Sequence, residues 1–97
     1  MSATSPDGAW VLRVYTVGMP PATERALRNL RVLCSENLAN EPLIEVIDLR
    51  EHPEVAARER IFAVPTVVRH LPLPARKVIG DLSDRPGAIA GLAFEVG

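Results

Sequence analysis

The sequence predicts a single α/β domain with elements in the order βαβ–α–ββα. Three observations lead there. Two short apolar runs of strand character, Trp10 to Val17 and Ile44 to Leu49, flank one long amphipathic stretch, Ala22 to Leu38. After residue 53 the apolar runs become shorter and are divided by prolines, as in a small helix followed by a hairpin and a last helix. The chain has 97 residues, 47% of them hydrophobic, which suffices for one modest core and no second domain.

Each element has its own reason. Trp10 to Val17 (WVLRVYTV) is β-branched and aromatic, and apolar on both faces apart from Arg13 and Thr16, as suits a central strand. Gly18-Met19-Pro20-Pro21 breaks it, and proline is tolerated in the first turn of the helix that follows. In Ala22 to Leu38, residues Ala26, Leu27, Leu30, Leu33, Cys34 and Leu38 recur at spacings of three and four and form one stripe. Asn40-Glu41-Pro42 ends that helix, and Ile44 to Leu49 is a second strand, parallel to the first in a βαβ unit. Pro53 to Arg60 is a short helix. Val64 to Val68 leads into a third strand, Leu71 to Pro74 turns, and Ala75 to Ile79 returns antiparallel. Ser83-Asp84-Arg85-Pro86 is a helix start, with a capping residue just before a proline.

Ala88 to Val96 has two readings. As a helix, Ile89, Leu92, Ala93 and Val96 form a stripe; as a strand, Ala88, Ala90, Leu92, Phe94 and Val96 share a face. Gly91 lowers helix propensity by roughly 1 kcal/mol relative to alanine, so Gly91→Ala is expected to favour the helix. Residues 1 to 9 are dominated by Ser, Pro, Asp and Gly and read as a mobile tail before a domain over 10–97.

Composition excludes several functions. Eleven basic and twelve acidic residues leave a formal charge of −1, which sets up no global field for nucleic acid or an anionic membrane. No apolar run approaches the ~20 residues of a membrane span, and the amino-terminal segment is not a signal peptide. A single cysteine, Cys34, permits no intramolecular disulfide and no CxxC pair, and it fits a reducing, cytoplasmic setting. His52 and His70 stand at no metal-ligand spacing, and no metal or cofactor is expected.

Pro53, Ala56, Ile61, Pro65 and Thr66, spaced P-x-x-A-x(4)-I-x(3)-P-T, resemble the thioredoxin superfamily, in which the proline before the last threonine is cis and faces the active site. The redox pair of that superfamily would sit at the start of the first helix. Here that stretch is Gly18-Met19-Pro20-Pro21-Ala22-Thr23, without cysteine, and Cys34 lies farther along the helix on its apolar stripe. A thiol redox enzyme is therefore disfavoured.

A more specific likeness lies in Arg76 to Arg85 (RKVIGDLSDR), supported in register by Trp10 to Gly18, Arg25-Ala26-Leu27, Val46-Ile47-Asp48, Val64-Pro65-Thr66 and Leu71 to Pro74. Over residues 10 to 94 the chain closely resembles the KaiB family. The resemblance implies a clock-type regulator without enzymatic activity. Its thioredoxin-like state, βαβαββα, binds the N-terminal ATPase ring of a KaiC-type hexamer, with KaiA or a SasA-type kinase as further or competing partners. It also implies an alternative ground-state fold, βαββααβ, that self-associates as a dimer or tetramer. Carried over residue by residue, Arg25, Arg60, Arg69, Arg76 and Lys77 become candidates for an acidic partner face, and Pro65, Pro72, Pro74 and Gly91 become candidates for the switch between folds. The family's proline cluster is Pro72-Leu73-Pro74 here, and Glu45 stands where many clock members carry lysine, a difference that bears on KaiA more than on KaiC. A KaiB-like stress-signalling role without a clock is the alternative output of the same chemistry.

Overall fold

A strand apolar on both faces belongs inside a sheet, and β1 (Val11–Thr16) lies at the centre of a four-stranded one. The computed structural model describes residues 9–94 of the chain. The remaining elements are α1 (Pro21–Asn37), β2 (Leu43–Asp48), α2 (Pro53–Arg58), β3 (Thr66–Leu71), β4 (Arg76–Ile79) and α3 (Arg85–Leu92), in the sheet order β2-β1-β3-β4. β2 runs parallel to β1, with Arg13 opposite Glu45. β3 runs antiparallel to it, with Tyr15 opposite Thr66, and β4 closes the hairpin with Val68 opposite Lys77. This is the element order expected from the sequence. Apart from Ala9, the expected tail lies outside the described residues.

The two faces of the sheet differ in depth. Leu12 and Val14 of β1 point with Val67 of β3 toward α1 and α3, where the α1 stripe (Ala26, Leu27, Leu30, Leu33, Cys34) and Leu92 complete the main core. Tyr15 points the other way, into a smaller cluster with Val55, Ile61 and Val68 beneath α2. Because α2 has only six residues, it leaves the far half of that face open. There Arg13 and Glu45, side by side on neighbouring strands, form a half-exposed ion pair at 2.7 Å.

The ambivalent carboxyl-terminal segment is helical as far as Leu92. Asp84 caps α3 by accepting a hydrogen bond from the Gly87 amide, as the sequence Ser83 to Pro86 predicted. The helix stops four residues short of Val96 because Ala93 adopts the left-handed region at φ 59. The rest of the expected span, Glu95 and Val96, lies outside the described residues.

Gly91 corrects the propensity argument. A Cβ at that position would lie 2.5 Å from Val78 Cγ2 on β4. Alanine there gains helix propensity and at the same time collides with a β-branched side chain that has few rotamers to escape into.

Candidate partner interface

The carboxyl end of β1 lies beside the amino end of β3, so the residues that leave one and enter the other emerge together. Tyr15 faces Thr66, and just beyond them come the loop 17–20 on one side and the approach 62–65 on the other. The end of β4 joins them, with Ile79 opposite Thr66 and the Gly80 amide bonded to the Pro65 carbonyl at 2.8 Å. Five large apolar side chains are exposed at this end: Val17, Met19, Phe62, Val64 and Ile79. Phe62 is 86% exposed, an unusual position for an aromatic ring that a core could bury.

Buried polar bonds fix the loops beneath this patch. The Thr16 and Thr23 hydroxyls meet at 2.7 Å, fully buried, and Thr16 also donates to the Gly18 carbonyl at 3.0 Å. Gly18 turns the chain at φ +68, where side chains are rarely accommodated. Its amide donates to Asp48 Oδ2, and the Arg50 guanidinium holds the same carboxylate at 2.7 Å. The Val64–Pro65 bond is cis, as are Leu71–Pro72 and Leu73–Pro74.

The five basic candidates part company. Arg25, on the first turns of α1, reaches across to Asp81 just after β4, with Nε 2.9 Å from Oδ2. Lys77 donates to the Glu59 and Arg60 carbonyls, both at 2.9 Å, and so pins the loop that carries Arg60 to the sheet. Arg25, Arg60 and Lys77 thus belong to the same end of the molecule as the apolar patch. Arg76 sits at the opposite end of β4, opposite Arg69. Arg69 is not presented to solvent in this fold. It is 3% exposed, because it shares the inward parity of Val67; its two Nη groups are spent on backbone carbonyls, and its Nε is buried without a hydrogen-bond partner. Among the switch candidates, Pro65 is buried beneath the patch, Pro72 and Pro74 flank the strongly exposed Leu73 at the far end, and Gly91 packs on β4.

Cys34 is buried in the main core, and desolvation pushes its thiol up to about 11, far from the range in which a thiolate attacks at neutral pH. Among the described residues no three His, Cys, Asp or Glu side chains cluster as a metal site, and no helix is long and apolar enough to cross a membrane. Tyr15 and His70 share a hydrogen bond at 3.1 Å under the open half of the sheet, a pairing that no sequence motif announced.

Two carboxylates at this end carry a pH signature. Hydrogen bonds from Arg50 hold Asp48 down to about 2, and the Arg25 side chain, aided by Ser83, does the same for Asp81. A carboxyl held low in the folded state stabilises the fold above its unfolded pKa and loses that contribution as pH falls toward the folded value. Thermal midpoints should therefore decline between about pH 4 and pH 2. Asp81→Asn should flatten part of that decline; an unchanged pH profile would show that the Arg25 pair contributes nothing to it.

Comparison with known proteins places this arrangement. The family model for the KaiB domain matches residues 13–92. The circadian clock oscillator protein KaiB of Synechococcus elongatus is 38% identical over 88 residues, covering 91% of this chain and 86% of that protein. Its counterpart from Microcystis aeruginosa is 40% identical over 83 residues, covering 86% and 80%. Among solved structures, the N-terminal domain of Synechococcus elongatus SasA superposes with a TM-score of 0.73 at 19% identity, over 100% of this chain and 95% of that one. Chloroplastic thioredoxin z does so with a TM-score of 0.63 at 20% identity, over 92% and 80%. The two structures show that the fold is thioredoxin-like. The likeness in sequence runs through nearly the whole domain and goes further than a shared fold, so the chain belongs to the KaiB family.

Proposed function

We propose that this protein is a non-enzymatic, clock-type regulator that binds the N-terminal ATPase ring of a KaiC-type hexamer. Its docking surface is the apolar end of the sheet, rimmed by Arg25, Arg60 and Lys77. The observation that carries this reading is Phe62, an almost fully exposed ring among Val17, Met19, Val64 and Ile79. Apolar groups clustered in water and rimmed by charge are the usual anatomy of an interface. The position supports the same reading: where thioredoxins carry their redox pair, this chain has Met19-Pro20-Pro21 and no nucleophile. Pro65, Pro72, Pro74 and Gly91 would then take part in exchange with a second, self-associating fold, and Arg76, away from the patch, would serve that assembly or a further partner such as KaiA or a SasA-type kinase.

The test is co-elution by size exclusion with light scattering, after long incubation with a KaiC-type hexamer and nucleotide. Ring-bound protein is expected. Phe62→Ala should weaken binding by about 10- to 100-fold, the range for truncating a central aromatic anchor, while leaving thermal stability close to that of the parent because the ring packs on little. Absence of association in every nucleotide state would overturn the assignment of the partner. Binding unaffected by Phe62→Ala would move the interface elsewhere.

A further inference from the structure

Among the described residues, Arg69 is the only charged side chain in the buried set. Its two Nη groups bond carbonyl oxygens from two separate segments, while the buried Nε has no hydrogen-bond partner. Nη1 donates to Leu92 at 3.0 Å and to Ala93 at 3.4 Å, and Nη2 donates to Pro74 at 2.8 Å. Below it, the guanidinium carbon lies 5.0 Å from the centroid of the Trp10 ring. Trp10 in turn stacks on Phe94, with centroids 5.0 Å apart and planes within 5°. One side chain of β3 thus holds the carboxyl end of α3, the 72–74 turn and the first residue of the sheet region together.

The element it holds has little support of its own. α3 has eight residues, including Pro86 and two glycines, and a helix this short is marginal in isolation. The last carbonyls of any helix lack partners within it, and a cation placed there is favoured by the helix dipole. Arg69 meets both needs, in a dry site where a bond to a charged donor is stronger than in water.

We infer that Arg69 is a clamp, and that α3 is a separately opening unit whose attachment to the sheet depends on it. Release would free Phe94 from Trp10 and uncover Leu92 while β1, β2 and α1 keep their pairing. The inference does not rest on the choice of partner proposed above, because it concerns the isolated chain.

Hydrogen exchange read by mass spectrometry tests it. In Arg69→Met, amides of residues 87–94 should exchange about 10- to 100-fold faster, the effect of losing bonds to a charged donor. Those of β1 and α1 should stay near parental rates. Emission from Trp10, the only tryptophan of the chain, should shift to the red as its stack with Phe94 opens. Should Arg69→Met fail to fold, Arg69→Lys keeps the cation and loses the fork, and it should accelerate the same amides to a lesser degree. Uniform acceleration over the whole domain would make Arg69 an ordinary core residue and overturn the inference. Unchanged exchange in residues 87–94 would overturn it as well.

Discussion

Trp10→Ala should cost the fold about 3–5 kcal/mol, the range for removing a large aromatic side chain from a core. The ring is 7% exposed and bears Phe94 on one face and the Arg69 guanidinium within cation–π distance. Truncation removes its buried area, leaves a void that neighbours held by strand pairing cannot fill, and takes the ring away from a buried cation. In a domain of this size each 1 kcal/mol moves the thermal midpoint by roughly 4–8 °C, so the variant should melt well over 10 °C lower, as read by circular dichroism. Trp10→Phe keeps a ring face for both neighbours and should retain most of the stability. A Trp10→Ala midpoint within a few degrees of the parent would show that the stack is incidental.

The second large effect is a coupling between Gly91 and Val78. Helix propensity favours Gly91→Ala by about 1 kcal/mol, and insertion of a methyl group into a closed contact opposes it by about 1–3 kcal/mol. In the parent background these terms oppose, and the substitution should be neutral to destabilising by up to ~2 kcal/mol. In a Val78→Ala background the obstructing Cγ2 is gone, and the same change should stabilise by about the full propensity difference. Denaturant unfolding of the two single variants and the double variant closes the cycle. If Gly91→Ala has the same effect in both backgrounds, β4 and α3 are not in contact at that point.

Much of the fold was legible because its signals are local. The apolar stripe of α1, the proline-flanked turns and the Asp84 cap are each set by residues within a turn or two of one another. The fate of Arg69 was not read, although a signal existed. Alternation in Thr66–Leu71 puts Arg69 on the same side as Val67, so a core position for one implied an inward position for the other. Likeness to basic positions of the family points the other way. The obstruction at Gly91 was out of reach for a different reason. Val78 lies on another element, and only the packing of α3 on β4 brings the two together. The apolar patch was also hidden, since Met19, Phe62 and Ile79 belong to three segments that meet only where the strands end. Of the basic candidates, Arg25 ties to Asp81 just after β4 and Lys77 to the loop of Arg60, while Arg76 stands at the other end of β4, placements set by contacts between segments far apart in the chain.

The place of β1 at the centre of the sheet has a consequence for synthesis. Its parallel partner β2 follows after a single helix, but its antiparallel partner β3 begins some fifty residues later, at Thr66. At about 5–20 residues per second on the ribosome, one edge of the nascent βαβ unit waits several seconds with its backbone donors and acceptors bonded to water and not to a strand. During that interval the first half of the chain is a template in search of a strand, and any extended segment nearby, from this chain or a neighbouring one, competes for the place that β3 will take.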